Sequence, residues 1–251
     1  MKTPPADQLI ALSGMIEYSA LSLPSHISPA MHKRLKIESF AILGSGEHGA
    51  LAKAVLEAGL RPALMLALDE ASNTILSADP GPDANQQVME RLDAGTCREL
   101  MTRHKVDALL LDGELKAENL DRMALEKPVL KLHLAPLPAY RGKCAMCWAL
   151  YHDEPLEVCA QLLASDLDMG PILSRSPLPV YRGDALADIE KSGREAGVAL
   201  LVDVLCRARS EGLPIALQEP WEGRVFPDAM PDDIYRELTR RLAAQEYSHY
   251  A

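Results

Sequence analysis

The sequence predicts an α/β fold, doubly wound about a mainly parallel sheet, in one main domain. Three observations carry that reading. Short apolar runs without polar alternation recur at 40–43, 63–68 and 108–111, which is how strands buried on both faces read. Segments of helical character separate them, as strand-helix-strand units require. A glycine-rich turn, Gly44-Ser45-Gly46-Glu-His-Gly49, joins the first strand to the first helix.

Residues 1–36 read as an N-terminal helical extension, with a helix over 7–23 broken by Pro24 and Pro29. The strand at 40–43 leads through the glycine turn to a helix over 50–59, closed by Gly59. A second strand at 63–68 ends at Asp69, and a helix follows from about 85 to 104. The strands at 108–111 and 129–133 come next, then candidate strands within 156–164 and 171–180 and a long helix over 185–210. The main domain is expected to span 37–228. Residues 229–251 form a tail whose amphipathic stretch at 232–245 suits packing on the domain or on a second subunit, as in a homodimer.

Composition narrows function. The chain has 251 residues, 48% of them hydrophobic, and a formal net charge of −10. That acidity argues against nucleic acid and membrane surfaces, which attract excess cation. Aromatics at 4% leave little for base stacking. An odd five cysteines suit a reducing compartment, no leader-like apolar stretch follows Met1, and no run is long enough to span a bilayer. A cytoplasmic enzyme or binding protein is expected.

The turn Gly44-x-Gly46-x-x-Gly49 fits the dinucleotide fingerprint, with Asp69 twenty residues after the last glycine. It equally fits any tight first turn of such a sheet, or an anion-binding turn for another ligand. These readings stay open at this point.

The segment from Lys127 to His152 carries Lys127, Lys131, Arg141 and Lys143 and no carboxylate. In an acidic chain that reversal suggests an anionic ligand, with a solvated basic face as the plain alternative. Its strand delivers His133 at the carboxyl end, where open α/β sheets place their ligands. Asp168, on a turn with Gly170 and Pro171, follows 35 residues later. A His–Asp pair can move a proton between nucleophile and leaving group, whereas an isolated Asp-x-Gly merely shapes a turn. Cys144-x-x-Cys147 lacks the second pair that structural zinc requires, and reads as two small, partly buried residues or a redox pair. No metal is expected.

Taken together, His133, Leu137-Pro138, Tyr140-Arg141-Gly142, Trp148-Ala149-Leu150, Asp168-x-Gly170-Pro171-Ile172 and the closing Gly223-Arg-Val-Phe-Pro227 resemble the folate-dependent formyltransferases over about residues 37–228. That family acts on methionyl-tRNA, glycinamide ribonucleotide, nucleotide sugars or hydroxyornithine. Its strand ends in Asn-x-His, where this chain has Lys131, and its loop serine is Ala135 here.

The resemblance implies formyl transfer from 10-formyltetrahydrofolate to the amine of a small-molecule acceptor, in specialised biosynthesis. It assigns catalysis to Lys131, His133 and Asp168, and donor binding to Leu111, Asp112, Gly113 and Arg141. Acceptor binding falls to Gly44, Ser45, Gly46 and Tyr140. A lysine can stabilise an oxyanion as an amide does, although it offers no acceptor with which to position an amine. The other readings are a formyltransferase-like binding protein without catalysis, and a nicotinamide-dependent enzyme using the Gly44 turn.

Overall fold

The structure is a computed structural model that describes residues 34–44, 50–67, 85–88, 94–113, 127–164 and 167–251. The expected helix over 7–23, Ser45, Gly46 and Asp69 lie outside those residues. The strands are β1 (Phe40–Gly44), β2 (Leu64–Ala67), β3 (Asn85–Val88), β4 (Ala108–Asp112), β5 (Val129–His133), β6 (Tyr140–Gly142), β7 (Glu157–Leu162), β8 (Ile172–Pro177) and β9 (Arg224–Phe226). The helices are α1 (Ala50–Glu57), α2 (Ala94–Arg103), α3 (Ala145–Tyr151), α4 (Leu186–Ser210) and α5 (Asp232–Ala243).

The described residues form a seven-stranded sheet in the order β3-β2-β1-β4-β5-β7-β8. The five strands from β3 to β5 run parallel, while β7 is antiparallel to both β5 and β8. Strand order reverses direction between β1 and β4, where Gly44 pairs with Asp112. In open α/β sheets such a reversal marks the ligand crevice at the carboxyl ends of the strands.

One expected element differs. Residues 85–88 are a strand rather than the start of a helix, and α2 begins at Ala94. Asn85-Gln-Gln-Val88 carries no apolar run to mark it, because β3 is the outermost strand and pairs only with β2.

Alternation along the strands sorts the core into two faces. Phe40, Ile42 and Leu110 pack with residues of α1, α3, α4 and α5. Ala41, Leu43, Leu109, Leu111 and Val129 pack with Leu100 and Met101 of α2. By the same alternation Asp112 points to the α1 face, and Lys131 and His133 to the α2 face. Leu238 and Leu242 of α5 join the first cluster, so the C-terminal helix covers its own domain. Arg241 Nη1 donates to Tyr151 O at 2.7 Å at that seam.

A small parallel sheet of β6 and β9 folds the segment before Phe226 back over the loop that follows β5. Gly142 is required there: its φ is +98°, and a Cβ would collide with the carbonyl of Phe226. Among the described residues, no helix is long and apolar enough to cross a membrane.

Candidate active site

β5 places Lys131 and His133 on one face, two residues apart, and the turn after β7 brings Asp168 to both. Lys131 Nζ donates to Asp168 Oδ1 at 2.6 Å, and His133 Nδ1 lies 3.4 Å from Asp168 Oδ2. The backbone N–H of Gly142 donates to Oδ2 at 2.9 Å, and Gln161 Nε2 donates to Oδ1 at 2.9 Å. Each carboxylate oxygen therefore has two partners. Asp168 itself sits at φ +54°, a left-handed conformation that aspartate tolerates better than most residues. Gly170 lets the turn close, since a Cβ there would strike the carbonyl of Leu162.

His133 is held at both ends. Its Nε2 lies 2.8 Å from Tyr140 O. A carbonyl only accepts, so Nε2 carries the proton, leaving Nδ1 to face the carboxylate. A second proton on Nδ1 would make the ring a donor to Asp168.

The electrostatics follow from these contacts. Burial alone would raise the Asp168 carboxyl, but the hydrogen bond and charge of His133 and the ammonium of Lys131 outweigh it and hold it far below the usual carboxylate range. Accessibility separates the roles: side-chain exposure is 4% for Asp168, 7% for His133 and 22% for Lys131. Asp168 organises the cluster from behind, and Lys131 is the member that reaches open space.

The basic stretch between Lys127 and Lys143 is partly turned inward. Arg141 has no exposed surface; its Nε donates to Gln218 Oε1 at 3.1 Å and its Nη2 to Glu219 O at 3.1 Å. Arg141, expected at the donor, ties the 218–219 segment to β6. Tyr140, expected at the acceptor, is also buried, with its hydroxyl 3.1 Å from His152 Nδ1.

At the crevice, Leu111 is buried among apolar neighbours and Gly113 takes φ +116°. Asp112 is buried on the α1 side, where its Oδ2 accepts from the Ala52 N–H at 3.4 Å. Burial is the main cause that raises its carboxyl to about 6, with hydrogen bonds from Ala52 and Leu51 partly opposing. Gly44 ends β1 opposite Asp112.

The sequence reading missed Gln161 and Gln218. Gln161 is the cross-strand partner of Lys131 in the β5–β7 ladder. Gln218 Nε2 donates to Asp168 O at 2.9 Å and to Gly170 O at 2.5 Å, so it fixes the turn that carries Asp168. A lone glutamine inside Val158-Cys-Ala-Gln-Leu162 was a signal for the first; nothing local marks the second. Cys144 is exposed at the start of α3, and Cys147 is partly buried, its thiol pushed up to about 11 chiefly by burial. Among the described residues, no group of three His, Cys, Asp or Glu side chains comes together to hold a metal.

No family model matches the chain. Over 77 residues it is 34% identical to methionyl-tRNA formyltransferase of Thermosynechococcus vestitus, a match that covers 30% of this chain and 23% of that relative's length. Its fold is similar to glycinamide ribonucleotide transformylase 1 from Symbiobacterium toebii, with TM-score 0.55 and 20% identity over 72% of this chain and 94% of that one. It is also similar to the formyltransferase PseJ from Anoxybacillus kamchatkensis, solved with tetrahydrofolate and a formamido nucleotide sugar. There the TM-score is 0.51 at 15% identity, over 84% of this chain and 95% of that one. With the mainly parallel sheet and the local sequence match, these likenesses make the chain a formyltransferase-fold protein.

Proposed function

We propose that this protein transfers a formyl group from 10-formyltetrahydrofolate to the amine of a small-molecule acceptor. The observation that carries the reading is the Lys131–Asp168–His133 cluster at the carboxyl end of β5, with its lysine the most exposed member.

The residues suit such a donor. Lys131 offers a charged N–H donor toward the crevice, and the exposed Lys143 is a cation suited to carboxylates of an anionic folate. Bound beside Leu111 and Gly113, the donor would supply an activated formyl carbon.

In the reaction the acceptor nitrogen bonds to that carbon, the bond from the carbon to the donor nitrogen breaks, and the proton lost by the amine ends on the donor nitrogen. Lys131 stabilises the oxyanion of the tetrahedral stage, because a positioned positive charge counts most where negative charge develops. His133, when protonated, adds a second positive group. Asp168 is a positioning residue: saturated and covered, it holds Lys131 and His133 rather than meeting the amine.

A second reading, a folate-binding protein without turnover, draws on the same saturation, since neither Asp168 oxygen is left to accept a proton from an amine. Incubation with 10-formyltetrahydrofolate and a panel of amino sugars and amino acids, following tetrahydrofolate release, separates the two. Amine-dependent release supports transfer. Folate binding with no release for any amine, and release gained on Lys131→Asn, would assign the chain to the second reading.

A further inference from the structure

We infer that Cys144 and Cys147 form a redox-active dithiol, a site that closes to an intramolecular disulfide on reaction with a low-molecular-weight disulfide of the glutathione class. The inference goes beyond the formyl-transfer reading and does not depend on it.

The pair opens α3. Cys144 flanks the helix at its start and Cys147 lies in its first turn. Only the torsions of Ala145 and Met146 set the distance between the two Cα atoms, and both residues are helical. Helix geometry makes that distance about 5 Å, within the roughly 4.4–6.8 Å that a disulfide spans. The Cβ atoms must also approach, and Cys144 is free to turn. It stands outside the helix proper, at φ +53° and ψ +28°, so a change at this one residue re-aims its side chain without unwinding the turn. Glycine would hold that left-handed conformation with less strain, yet the residue here carries a thiol.

The two thiols differ in a way that sets the order of reaction. Cys144 is exposed and follows the exposed Lys143. Cys147 is partly covered, and burial, with charge on Cys144 adding to it, keeps its thiol protonated. Since the attacking group is a thiolate, Cys144 reacts first and Cys147 resolves. Cys159, by contrast, is buried in β7 with its Sγ donating to Ala135 O at 3.3 Å. The dithiol also adjoins the Asp168 cluster, because Gly142, two residues before Cys144, gives its N–H to Asp168.

The Cys144 thiol loses its proton to water and its sulfur attacks one sulfur of the small disulfide. That S–S bond breaks, and the departing thiolate takes a proton. Cys147 Sγ then attacks Cys144 Sγ, its proton passing to water, and the mixed disulfide breaks to release the second small thiol. Two protein thiols are oxidised to one disulfide while the small disulfide is reduced to two thiols. The second step is intramolecular and gains from the held geometry.

The test uses the full chain, reduced, freed of reductant and incubated at neutral pH with oxidised glutathione. Remaining thiols are alkylated and mapped by mass spectrometry after chymotrypsin, which cuts after Trp148 and Tyr151 and so separates the pair from Cys159. The wild type should lose both Cys144 and Cys147 as alkylatable thiols and yield a peptide in which they are joined. Cys147→Ser should stop with glutathione on Cys144, and Cys144→Ser should leave Cys147 alkylatable. A wild type in which Cys144 keeps glutathione without closing, joins a cysteine other than Cys147, or stays alkylatable would overturn the inference. The wild-type map decides this without the variants, and a failure to bind folate leaves its outcome unchanged.

Discussion

Replacing Lys131 with methionine removes an ammonium that lies 2.6 Å from Asp168 and keeps most of the volume of its stem. Breaking a fully buried ion pair from one side costs roughly 3–5 kcal/mol. Here Lys131 is 22% exposed, and Asp168 retains Gln161, the Gly142 N–H and His133. The cost should therefore be smaller, about 2–3 kcal/mol, which is the range of one charged hydrogen bond. For a domain of this size that lowers the melting temperature by roughly 5–10 °C. The sign with pH is fixed by the depressed Asp168 carboxyl. Its stabilisation is fully present above the unfolded carboxyl value near 4 and is lost as pH falls below that, because the unfolded chain then binds the extra proton. Urea unfolding should show the gap at about pH 7, and the wild type should lose part of its own stability on acidification to about pH 3. No gap at neutral pH would refute the assignment of Lys131 to the Asp168 cluster.

Asp112 should behave in the opposite sense. Its folded value of about 6 lies above its unfolded one, so the ionised form weakens the fold and stability falls as pH rises from about 4 to 6. Asp112→Asn should remove that fall, which amounts to roughly 1.4 kcal/mol for each pH unit between the two values. The variant should therefore gain up to about 2–3 kcal/mol above pH 6, read from urea curves across that range. Gln218→Ala should cost about 3 kcal/mol by taking partners from the Asp168 and Gly170 carbonyls and from Arg141, and folate affinity should drop with it. Gly142→Ala should destabilise by at least about 2 kcal/mol, since positive φ and collision with Phe226 act together; equal stability would mean that β6 and β9 can separate cheaply.

The sheet was legible because its central strands are buried on both faces and leave uninterrupted apolar runs. β5 fell within 129–133 as expected for that reason. β3 was not legible, since a polar edge strand has no pattern that separates it from the first turns of a helix. His133 and Asp168 could be named from motif spacing, and the structure brings them together. Arg141 could not be placed: a guanidinium in a loop reads the same in sequence whether it faces a ligand or the inside of the fold. Gln218 joins the site across 50 residues of chain to Asp168, a tertiary contact without local signature. Half of the basic stretch is likewise engaged internally, Lys131 by the Asp168 carboxylate and Arg141 by hydrogen bonds to Gln218 and the Glu219 carbonyl. The local positive charge seen in the sequence is thus larger than the one offered to a ligand.

The central claim is a folate donor site that Lys131 faces. Calorimetric titration of the wild type and Lys131→Met with 5-formyltetrahydrofolate, and of the wild type with NADH, tests it most directly. The account predicts folate binding that weakens about tenfold, the equivalent of roughly 1.4 kcal/mol, without the lysine, and no heat with NADH. Tight NADH binding with no folate binding would contradict it.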